Sequence, residues 1–389
     1  MTKRYLITGG AGFIGCNYVH RLLKRGETSP SSVEAQVAVY DNLSRRGTED
    51  NVAWLREQHG AESFRLIVGD VRDYETLAEA TQGVDVVVHL ASQTAVTTSV
   101  TDPRSDFEDN ALGTFNALEA ARHAGTNPIF LYASTNKVYG GMEEVAVIEQ
   151  ETRYDYRDFP LGISEAQPLD FHSPYGCSKG AGDQYVRDYA RIYGLPTVVL
   201  RQSCIYGPQQ MGVEDQGWVA WLIIAAVTGQ PITIYGDGKQ VRDVLFVDDL
   251  LDVYDAAIAH IDVAAGQVYN AGGGPARTMS VWVEFGPILE QLMGRSIPVS
   301  YDDWRPGDQR VVICDIRKAE RELGWRPHVG VEEGIRRLYQ WVVANRGLFE
   351  TGGRETRGQG DRGTRGRGDE GTGGQGDEGT RGRGDEETK

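Results

Sequence analysis

A tyrosine and a lysine four residues apart, Tyr175 and Lys179, are the side chains of this sequence with the clearest catalytic potential. They stand in a predicted helix that begins just after Pro174, and residues four apart lie on one face of a helix. The phenol of tyrosine has a pKa near ~10, so it acts as a base at neutral pH only where its phenolate is stabilised, for example by a nearby ammonium group. By itself the spacing favours an exposed surface pair. Whether the two residues are catalytic therefore depends on the motifs found elsewhere in the sequence.

Three glycines near the start of the chain, Gly9, Gly12 and Gly15, predict a site for a dinucleotide cofactor. They follow a predicted strand and lead into an amphipathic helix. The first permits a tight turn, the second lets the backbone approach a pyrophosphate, and the third lets the helix pack on the strand. The helix N-terminus, with Phe13 and Ile14 in its first turn, offers free N–H groups to the phosphates. This position disfavours the alternative of a purely structural turn.

Asp41 ends the second predicted strand, 26 residues after Gly15. An acid at this place can hydrogen-bond the ribose hydroxyls of adenosine and would repel a 2′-phosphate, which favours NAD over NADP. Arg45 and Arg46 argue the other way, because they could neutralise such a phosphate. His89, also at a strand end, is better explained as a locally hydrogen-bonded residue than as a catalyst. The neighbouring strand ends supply the remaining predicted cofactor residues: Asn42, Asp70, Val71, Leu90 and Ala91.

A dinucleotide site changes the interpretation of Tyr175 and Lys179. The positively charged nicotinamide ring also stabilises a phenolate, and the ammonium group of Lys179 can hydrogen-bond the nicotinamide ribose. The combination therefore favours a catalytic role for the pair, with Tyr175 as the base.

The first 200 residues must provide the scaffold for these groups, and they alternate β-branched runs with amphipathic segments. The strand candidates are Arg4–Thr8, Val37–Tyr40, Phe64–Val68, Asp85–Leu90, Ile129–Ala133 and Thr197–Leu200. The helix candidates include Phe13–Arg25, Phe107–Ala124 and Tyr175–Tyr193. This alternation is typical of the α/β class, with a Rossmann-type doubly wound parallel sheet that binds its ligand at the carboxyl edge.

The pattern changes after residue 200, which indicates a second domain. Residues 1–200 are predicted to form the NAD-binding domain, to which the chain returns around 240–272, and residues 201–350 a smaller mixed α/β substrate-binding domain. Residues 351–389 contain 14 glycines and no aliphatic or aromatic side chain, so we expect a disordered, functionally dispensable tail. The segment 140–173 is rich in turn formers, and a loop of that length is either functional or contains unrecognised elements.

Composition limits the class of protein. The chain has 389 residues, 56 acidic and 40 basic, and its net charge of −16 disfavours nucleic acid and anionic membrane surfaces as partners. The N-terminus turns to glycine too early for a signal peptide. The four cysteines, Cys16, Cys177, Cys204 and Cys314, lack metal-ligand spacing. We therefore expect a cytoplasmic protein with reduced thiols and no metal site.

Together these features resemble the extended short-chain dehydrogenase/reductase family. The resemblance covers roughly residues 3–345 and rests on the glycine motif, Asp41, the segment Asn110–Thr114 and the tyrosine–lysine pair. It implies a third catalytic residue, a serine or threonine four positions before the tyrosine of a strand-end Val-Tyr-Gly. In this sequence that position is Thr135, and its hydroxyl is implied to hydrogen-bond the sugar oxygen that alternates between alcohol and ketone.

The two residues after Thr135 separate reaction classes within this family. Nucleotide-sugar 4,6-dehydratases carry Asp-Glu directly after the catalytic threonine, to remove and deliver the protons of the elimination. This sequence has Asn136 and Lys137 there. Because an amide and an ammonium group cannot replace an acid pair, the sequence predicts epimerisation or net oxidation and reduction, and not dehydration.

Longer segments resemble the CDP-paratose 2-epimerase (CDP-tyvelose epimerase) branch of the NAD-dependent epimerases. They are residues 134–140, 169–180, 215–219, 238–245 and 308–311. The resemblance implies that Tyr175 takes the proton of the sugar C2 hydroxyl and that a 2-keto sugar forms and reorients. NAD is then tightly bound and regenerated in each turnover. The resemblance also implies contacts to a CDP-sugar substrate from Thr135, Asn136, Gln216, Arg242 and Arg305, and arginine forks suit a diphosphate.

Other functions stay open at this point. A nucleotide-sugar 4-epimerase acting on a UDP- or GDP-sugar, or a reductase, would share the scaffold, because pocket shape decides which carbon meets the nicotinamide. A non-enzymatic NAD-binding regulator is the alternative from another class, and the combination of Thr135, Tyr175 and Lys179 argues against it. By analogy with related enzymes we expect a homodimer or homotetramer.

Overall fold

Strands and helices alternate through the first half of the chain. The computed structural model describes residues 2–28, 35–305 and 308–350. The strands of this half are β1 (Lys3–Thr8), β2 (Ala35–Asp41), β3 (Arg65–Val68), β4 (Val86–His89), β5 (Ile129–Thr135), β6 (Val147–Glu149), β7 (Tyr154–Tyr156) and β8 (Thr197–Gln202). Its α-helices are α1 (Phe13–Thr28), α2 (Thr48–His59), α3 (Tyr74–Thr81), α4 (Val96–Thr101), α5 (Pro103–Phe107), α6 (Gly113–Arg122) and α7 (Ser173–Tyr193). A π-helical turn, Glu108–Leu112, joins α5 to α6, and a 3₁₀ turn, Asn136–Tyr139, follows β5.

The second half has shorter strands. They are β9 (Cys204–Tyr206), β10 (Thr233–Tyr235), β11 (Val241–Phe246), β12 (Gln267–Ala271), β13 (Thr278–Ser280), β14 (Ser300–Asp302) and β15 (Val311–Val312). The helices are α8 (Trp218–Thr228), α9 (Val247–Ala259), α10 (Ile261–Ala264), α11 (Phe285–Met293), α12 (Arg317–Leu323), α13 (Val331–Ala344) and α14 (Gly347–Glu350). Within the described ranges, none of the helices is long and apolar enough to cross a membrane. The predicted tail, residues 351–389, lies outside the described residues.

Seven parallel strands form the central sheet, in the spatial order β12-β8-β5-β4-β1-β2-β3. A parallel sheet is covered by helices on both faces, so its strands are apolar on both sides, and all four residues of β4 are buried. The strand order reverses between β1 and β4, and open α/β sheets bind ligands at such a point, outside the carboxyl ends of the strands. The predicted fold class, a Rossmann-type doubly wound sheet, is confirmed.

The second half contributes one strand to this sheet and builds smaller sheets of its own. Strand β12 pairs with β8, inside the interval 240–272 where the return was predicted. Strand β11, buried along its whole length, pairs with β13, β15 and β9, and β10 pairs with β14. The division into two domains at residue 200 stays a prediction.

A two-stranded antiparallel hairpin, β6 with β7, lies in the segment 140–173 that the sequence predicts as a loop. Tyr154 and Tyr156 of this hairpin are buried in a cluster with Val241 and Val311. Each strand has three residues, which is too few for an alternating pattern to stand out among turn formers. The segment is therefore a packed element on the sheet around β11.

Helix α7 carries Tyr175 and Lys179, and two glycines let it lie close to its neighbours. A Cβ atom at Gly180 would overlap a phenyl ring of the preceding loop. A Cβ atom at Gly182 would overlap the hydroxyl group of Tyr132 in β5. The small residues thus bring the first turns of α7 against the carboxyl end of the sheet.

Candidate active site

A cavity of about 570 Å³ opens at the carboxyl edge of the sheet, around the ends of β1, β2, β3 and β4. Its volume is in the range of pockets that hold a cofactor or small molecule. All residues that the sequence analysis assigned to the cofactor line it: Gly9, Gly12, Phe13, Ile14, Gly15, Asp41, Asn42, Asp70, Val71, Leu90, Ala91, Tyr175 and Lys179. The fold therefore brings the glycine turn and the tyrosine–lysine pair to one place.

The glycine turn after β1 presents backbone to the cavity. Gly9 has a φ of +67°, and a Cβ atom there would lie 2.7 Å from the backbone nitrogen of Ala91. A Cβ atom at Gly15 would overlap the carbonyl oxygen of Gly9, so the absence of a side chain at Gly15 lets α1 start this close to the turn after β1. At Gly12 a Cβ atom would meet one atom within 4 Å, at 3.2 Å, and this side of the turn is otherwise open. Such an uncovered turn at a helix N-terminus fits the pyrophosphate of a dinucleotide.

Asp41 is fixed at the end of β2 by backbone donors. Its Oδ2 accepts a hydrogen bond from the Ala11 N–H at 3.0 Å, and its Oδ1 accepts one from the Leu43 N–H at 2.9 Å. Burial raises the pKa of Asp41, and the two hydrogen bonds oppose that rise. The residue therefore offers a carboxylate of defined position at the strand end where adenosine ribose binds in this fold class.

Asp70 is a second fixed acceptor in the lining of the cavity. Arg72 donates Nε and Nη2 to its two oxygens at 2.8 and 2.7 Å, and Asn42 Nδ2 adds a bond of 3.0 Å. The hydrogen bonds from Arg72 hold the pKa of Asp70 at about 2. Asp70 is thus ionised throughout the physiological pH range.

The predicted catalytic residues Thr135, Tyr175 and Lys179 meet where β5 ends and α7 begins. The Thr135 side chain acts on the phenol of Tyr175, its Oγ1 accepts a hydrogen bond from the Lys137 N–H at 3.2 Å, and all three residues are buried. Burial raises the pKa of Tyr175 to about 12, and the Thr135 side chain acts against this rise. The Lys179 ammonium group lies 4.4 Å from the ring centroid of Tyr132, and burial lowers its pKa to about 7. Because burial disfavours the phenolate, a further positive charge next to Tyr175 is required for a base at neutral pH.

Asp106 is a charged residue near the tyrosine–lysine pair that the sequence analysis missed. Its buried carboxylate accepts hydrogen bonds from Ser178 Oγ at 2.6 Å and Asn110 Nδ2 at 3.0 Å. The negative charge of Asp106 raises the pKa values of both Tyr175 and Lys179. The only hint in the sequence is that Asp106 stands four residues before Asn110. The contact to Ser178 spans 72 residues and has no local signal.

We expect Asp106→Asn to move both limbs of the pH profile of kcat/KM to lower pH. The substitution removes the charge that raises the two pKa values, and one such charge shifts a buried neighbour by about one pH unit. Asp109→Asn is the matched control, because Asp109 lines the cavity and pairs with Arg72 at 3.5 Å. If both limbs of the pH profile of Asp106→Asn stay at their wild-type positions, Asp106 does not set the pKa values of Tyr175 and Lys179.

His89 has a structural role at the end of β4. Its Nδ1 is 2.8 Å from Thr8 Oγ1, and its Nε2 is 3.2 Å from Thr114 Oγ1. Burial lowers the pKa of His89 to about 3. The ring is therefore neutral and bonded through both nitrogens, as expected for a locally hydrogen-bonded residue.

The residues predicted to bind the substrate are spread over two regions. Gln216 lines the cavity. Thr135 is the last residue of β5, Asn136 follows it, and Asn136 Nδ2 is 3.3 Å from Ser203 Oγ. Neither Thr135 nor Asn136 belongs to the lining of the 570 Å³ cavity itself.

The two arginines predicted to bind the diphosphate do not belong to this lining, and each is paired with a carboxylate. Arg242 is buried in β11, and its Nη2 donates to Asp308 Oδ1 at 2.6 Å. Arg305 lies 4.0 Å from the ring centroid of Tyr235 and 3.3 Å from Asp215 Oδ1. Since Asp215 lines the cavity, Arg305 stands next to it. Substrate binding by both arginines stays a prediction.

Comparisons with known proteins show what the chain as a whole is similar to. The sequence profile of the family described as GDP-mannose 4,6 dehydratase matches residues 6–338. The CDP-paratose 2-epimerase of Salmonella typhi is 41% identical over 346 residues, which cover 87% of this chain and 99% of that protein. The structure of DesIV, a dTDP-glucose 4,6-dehydratase of Streptomyces venezuelae with NAD bound, has a TM-score of 0.75 at 31% identity and covers 89% and 99% of the two chains. The UDP-glucose 4-epimerase of Thermus thermophilus in complex with NAD has a TM-score of 0.69 at 32% identity, covering 87% and 98%.

Proposed function

The chain belongs to the family described as GDP-mannose 4,6 dehydratase, and from this premise we propose that it inverts C2 of CDP-paratose to give CDP-tyvelose. Its relatives are NAD-dependent nucleotide-sugar enzymes, and it is itself an isomerase that uses NAD. The observation that carries the choice of substrate is the similarity to the CDP-paratose 2-epimerase along nearly the whole of that protein. The cluster of Thr135, Tyr175 and Lys179 supplies the groups that this reaction needs.

The chain supports the reaction by holding the cofactor and by moving one proton. The glycine turn, Asp41 and Asp70 would hold NAD, which when bound supplies the oxidant for the sugar alcohol and the reductant for the ketone. Tyr175 takes the proton of the C2 hydroxyl. It returns the proton to the same oxygen after the 2-keto sugar has rotated in the cavity and presents its opposite face. Thr135, whose side chain acts on Tyr175, would hold that oxygen. Lys179, one helical turn away, favours the phenolate through its positive charge.

The residues after Thr135 support epimerisation over dehydration. Asn136 donates to Ser203 Oγ, and the Lys137 ammonium group donates to Gln309 Oε1 at 3.0 Å. An elimination needs one group that removes a carbon-bound proton and another that protonates the departing hydroxyl. An amide and a lysine held as a donor offer no such acid pair.

A nucleotide-sugar 4-epimerase is the second candidate. The similarity to the 4-epimerase structure with NAD favours it, because the same base and cofactor serve either carbon. The carbon that reacts is the one whose hydroxyl reaches Tyr175, and this depends on how the nucleotide is seated. The cytoplasmic location and the homodimeric or homotetrameric state stay predictions.

Incubation of the purified protein with CDP-paratose or CDP-tyvelose tests the proposal. We expect NMR of the sugar C2 configuration to show both reactions reaching the same equilibrium mixture without added cofactor, because NAD is regenerated in each turnover. UDP-glucose and UDP-galactose serve as the comparison pair. Conversion of the UDP-sugars alone would move the reaction to C4, and conversion that requires added NADH would make the protein a reductase.

A further inference from the structure

The cofactor cavity is lined by more acidic than basic residues. Its acidic residues are Asp41, Asp70, Asp109 and Asp215, and its basic residues are Arg45, Arg46 and Lys179. The diphosphate of a dinucleotide adds two negative charges, so it needs a cation in addition to the partial charges of the helix N-terminus. Lys179 is buried beside Tyr132 at the tyrosine end of the cavity, which leaves the two arginines to be considered.

Arg45 spans the cavity above the glycine turn. It belongs to the loop after β2, and its Nη1 donates to Thr94 Oγ1 at 2.7 Å in the loop after β4. In the sheet β1 lies between β4 and β2, so Arg45 joins the loops that follow the two strands flanking β1. The end of β1 is the glycine turn, where the pyrophosphate is expected. Arg45 therefore bridges the two walls of the cavity at that point.

The electrostatic couplings of Arg45 agree with this position. Its charge acts on Tyr175 and Asp41, which line the same cavity. Nearby protein atoms lower the pKa of Arg45, but the residue is exposed. An exposed guanidinium group in the wall of the cavity can pair with an anion that enters it.

Arg46 has a different environment, although it is the next residue and also lines the cavity. Its Nη2 donates to the backbone oxygen of Leu348 in α14 at 3.3 Å. A residue that recognises the 2′-phosphate of NADP would have to lie beside Asp41, at the adenosine ribose. Arg45 instead reaches past that position to Thr94.

We propose that Arg45 is the cofactor-retaining residue of this enzyme: held by Thr94 across the glycine turn, its guanidinium group neutralises the diphosphate of NAD and keeps NAD in the cavity. One nitrogen of the fork binds the Thr94 hydroxyl, and the others are available to phosphate oxygens. The proposal rests on the proposed function only in the use of NAD, and it is independent of which sugar reacts.

The test measures bound NAD and not turnover. Wild type, Arg45→Ala, Thr94→Val and the control Arg46→Ala are purified in parallel, denatured, and assayed for NAD per chain by liquid chromatography. Titration calorimetry of the cofactor-free proteins then gives Kd for NAD and for NADP. We expect Arg45→Ala to lose NAD during purification and to bind it about tenfold to a hundredfold more weakly. Thr94→Val should weaken binding less, since the charge remains, and Arg46→Ala should retain NAD like the wild type.

Three results would overturn the proposal. If Arg45→Ala retains NAD with the wild-type Kd, the guanidinium group is not needed to hold the cofactor. If Arg45→Ala loses affinity for NADP alone, Arg45 recognises the 2′-phosphate and not the diphosphate. An equal loss in Arg46→Ala would show a general effect of charge. Thermal unfolding of each variant checks the fold, and failure of the CDP-sugar assay alone leaves all these readouts unchanged.

Discussion

Tyr175→Phe is expected to lower kcat by about 10³-fold while leaving one NAD bound per chain. Phenylalanine keeps the ring at the start of α7, and it removes the hydroxyl whose pKa the Thr135 side chain lowers. Because that hydroxyl acts on the reacting oxygen, the loss should fall on kcat and leave KM nearly unchanged. The measurement is the initial rate of CDP-paratose conversion by NMR, with NAD quantified in the same preparation.

The pH dependence separates the chemical role of Tyr175 from a packing role. Burial raises its pKa to about 12, so the fraction of phenolate, and with it the wild-type rate, should rise with pH until Lys179 loses its proton. The residual activity of Tyr175→Phe should lack this rise. Tyr193→Phe is the control on the same helix, because Tyr193 is 53% exposed and its ring packs against Arg122. A Tyr175→Phe protein with wild-type kcat would exclude the assigned mechanism.

The cofactor site could be predicted from the sequence because its residues are placed by strand ends. In a parallel sheet all carboxyl ends meet at one edge, so recognition of β1, β2 and β3 suffices to bring the glycine turn, Asp41 and Asp70 together. The same holds for Tyr175 and Lys179, whose spacing is fixed by the helix. These relations need the backbone alone, and small errors in the ends of elements do not disturb them.

Side-chain contacts between distant segments were not predictable in this way. Asp106 reaches Ser178, and Arg45 reaches Thr94, through rotamers that no periodic pattern encodes. The hairpin in 140–173 was missed for a related reason, since strands of three residues owe their position to packing against β11. Local propensity is weak for such segments, and tertiary contacts decide their structure.

The two substrate arginines show the limit of an argument from resemblance. The family likeness gave Arg242 and Arg305 a shared role at the diphosphate. In the structure Arg242 binds Asp308, and Arg305 binds Asp215. A carboxylate partner holds each guanidinium group in place, and a diphosphate would have to share or displace that partner. The role is therefore a question of binding energy, which the sequence pattern does not contain.

Asp183→Asn is expected to lower the free energy of unfolding by about 3–5 kcal/mol. Asp183 and Arg201 are 0% and 2% exposed, and Nε and Nη2 of Arg201 donate to both carboxylate oxygens at 2.9 Å. Ser134 Oγ donates to the same carboxylate at 2.8 Å. Removing the negative charge leaves Arg201 buried without a counter-ion at the end of β8. Urea unfolding at saturating NAD measures the change without a contribution from cofactor loss.

The paired replacement Asp183→Leu with Arg201→Met separates the cost of an unpaired charge from a need for the ion pair itself. With both charges gone no desolvation remains uncompensated, so the double variant should recover most of the stability that Asp183→Asn loses. Glu333→Gln, at an exposed pair with Arg337, is the control and should leave the unfolding midpoint unchanged.

Because the charge of Asp183 raises the pKa of Lys179, the double variant should keep its stability yet lose the ammonium form of Lys179 at lower pH than the wild type. Recovery of stability without that shift would confine Asp183 to a structural role, and no recovery would show that the ion pair is itself stabilising.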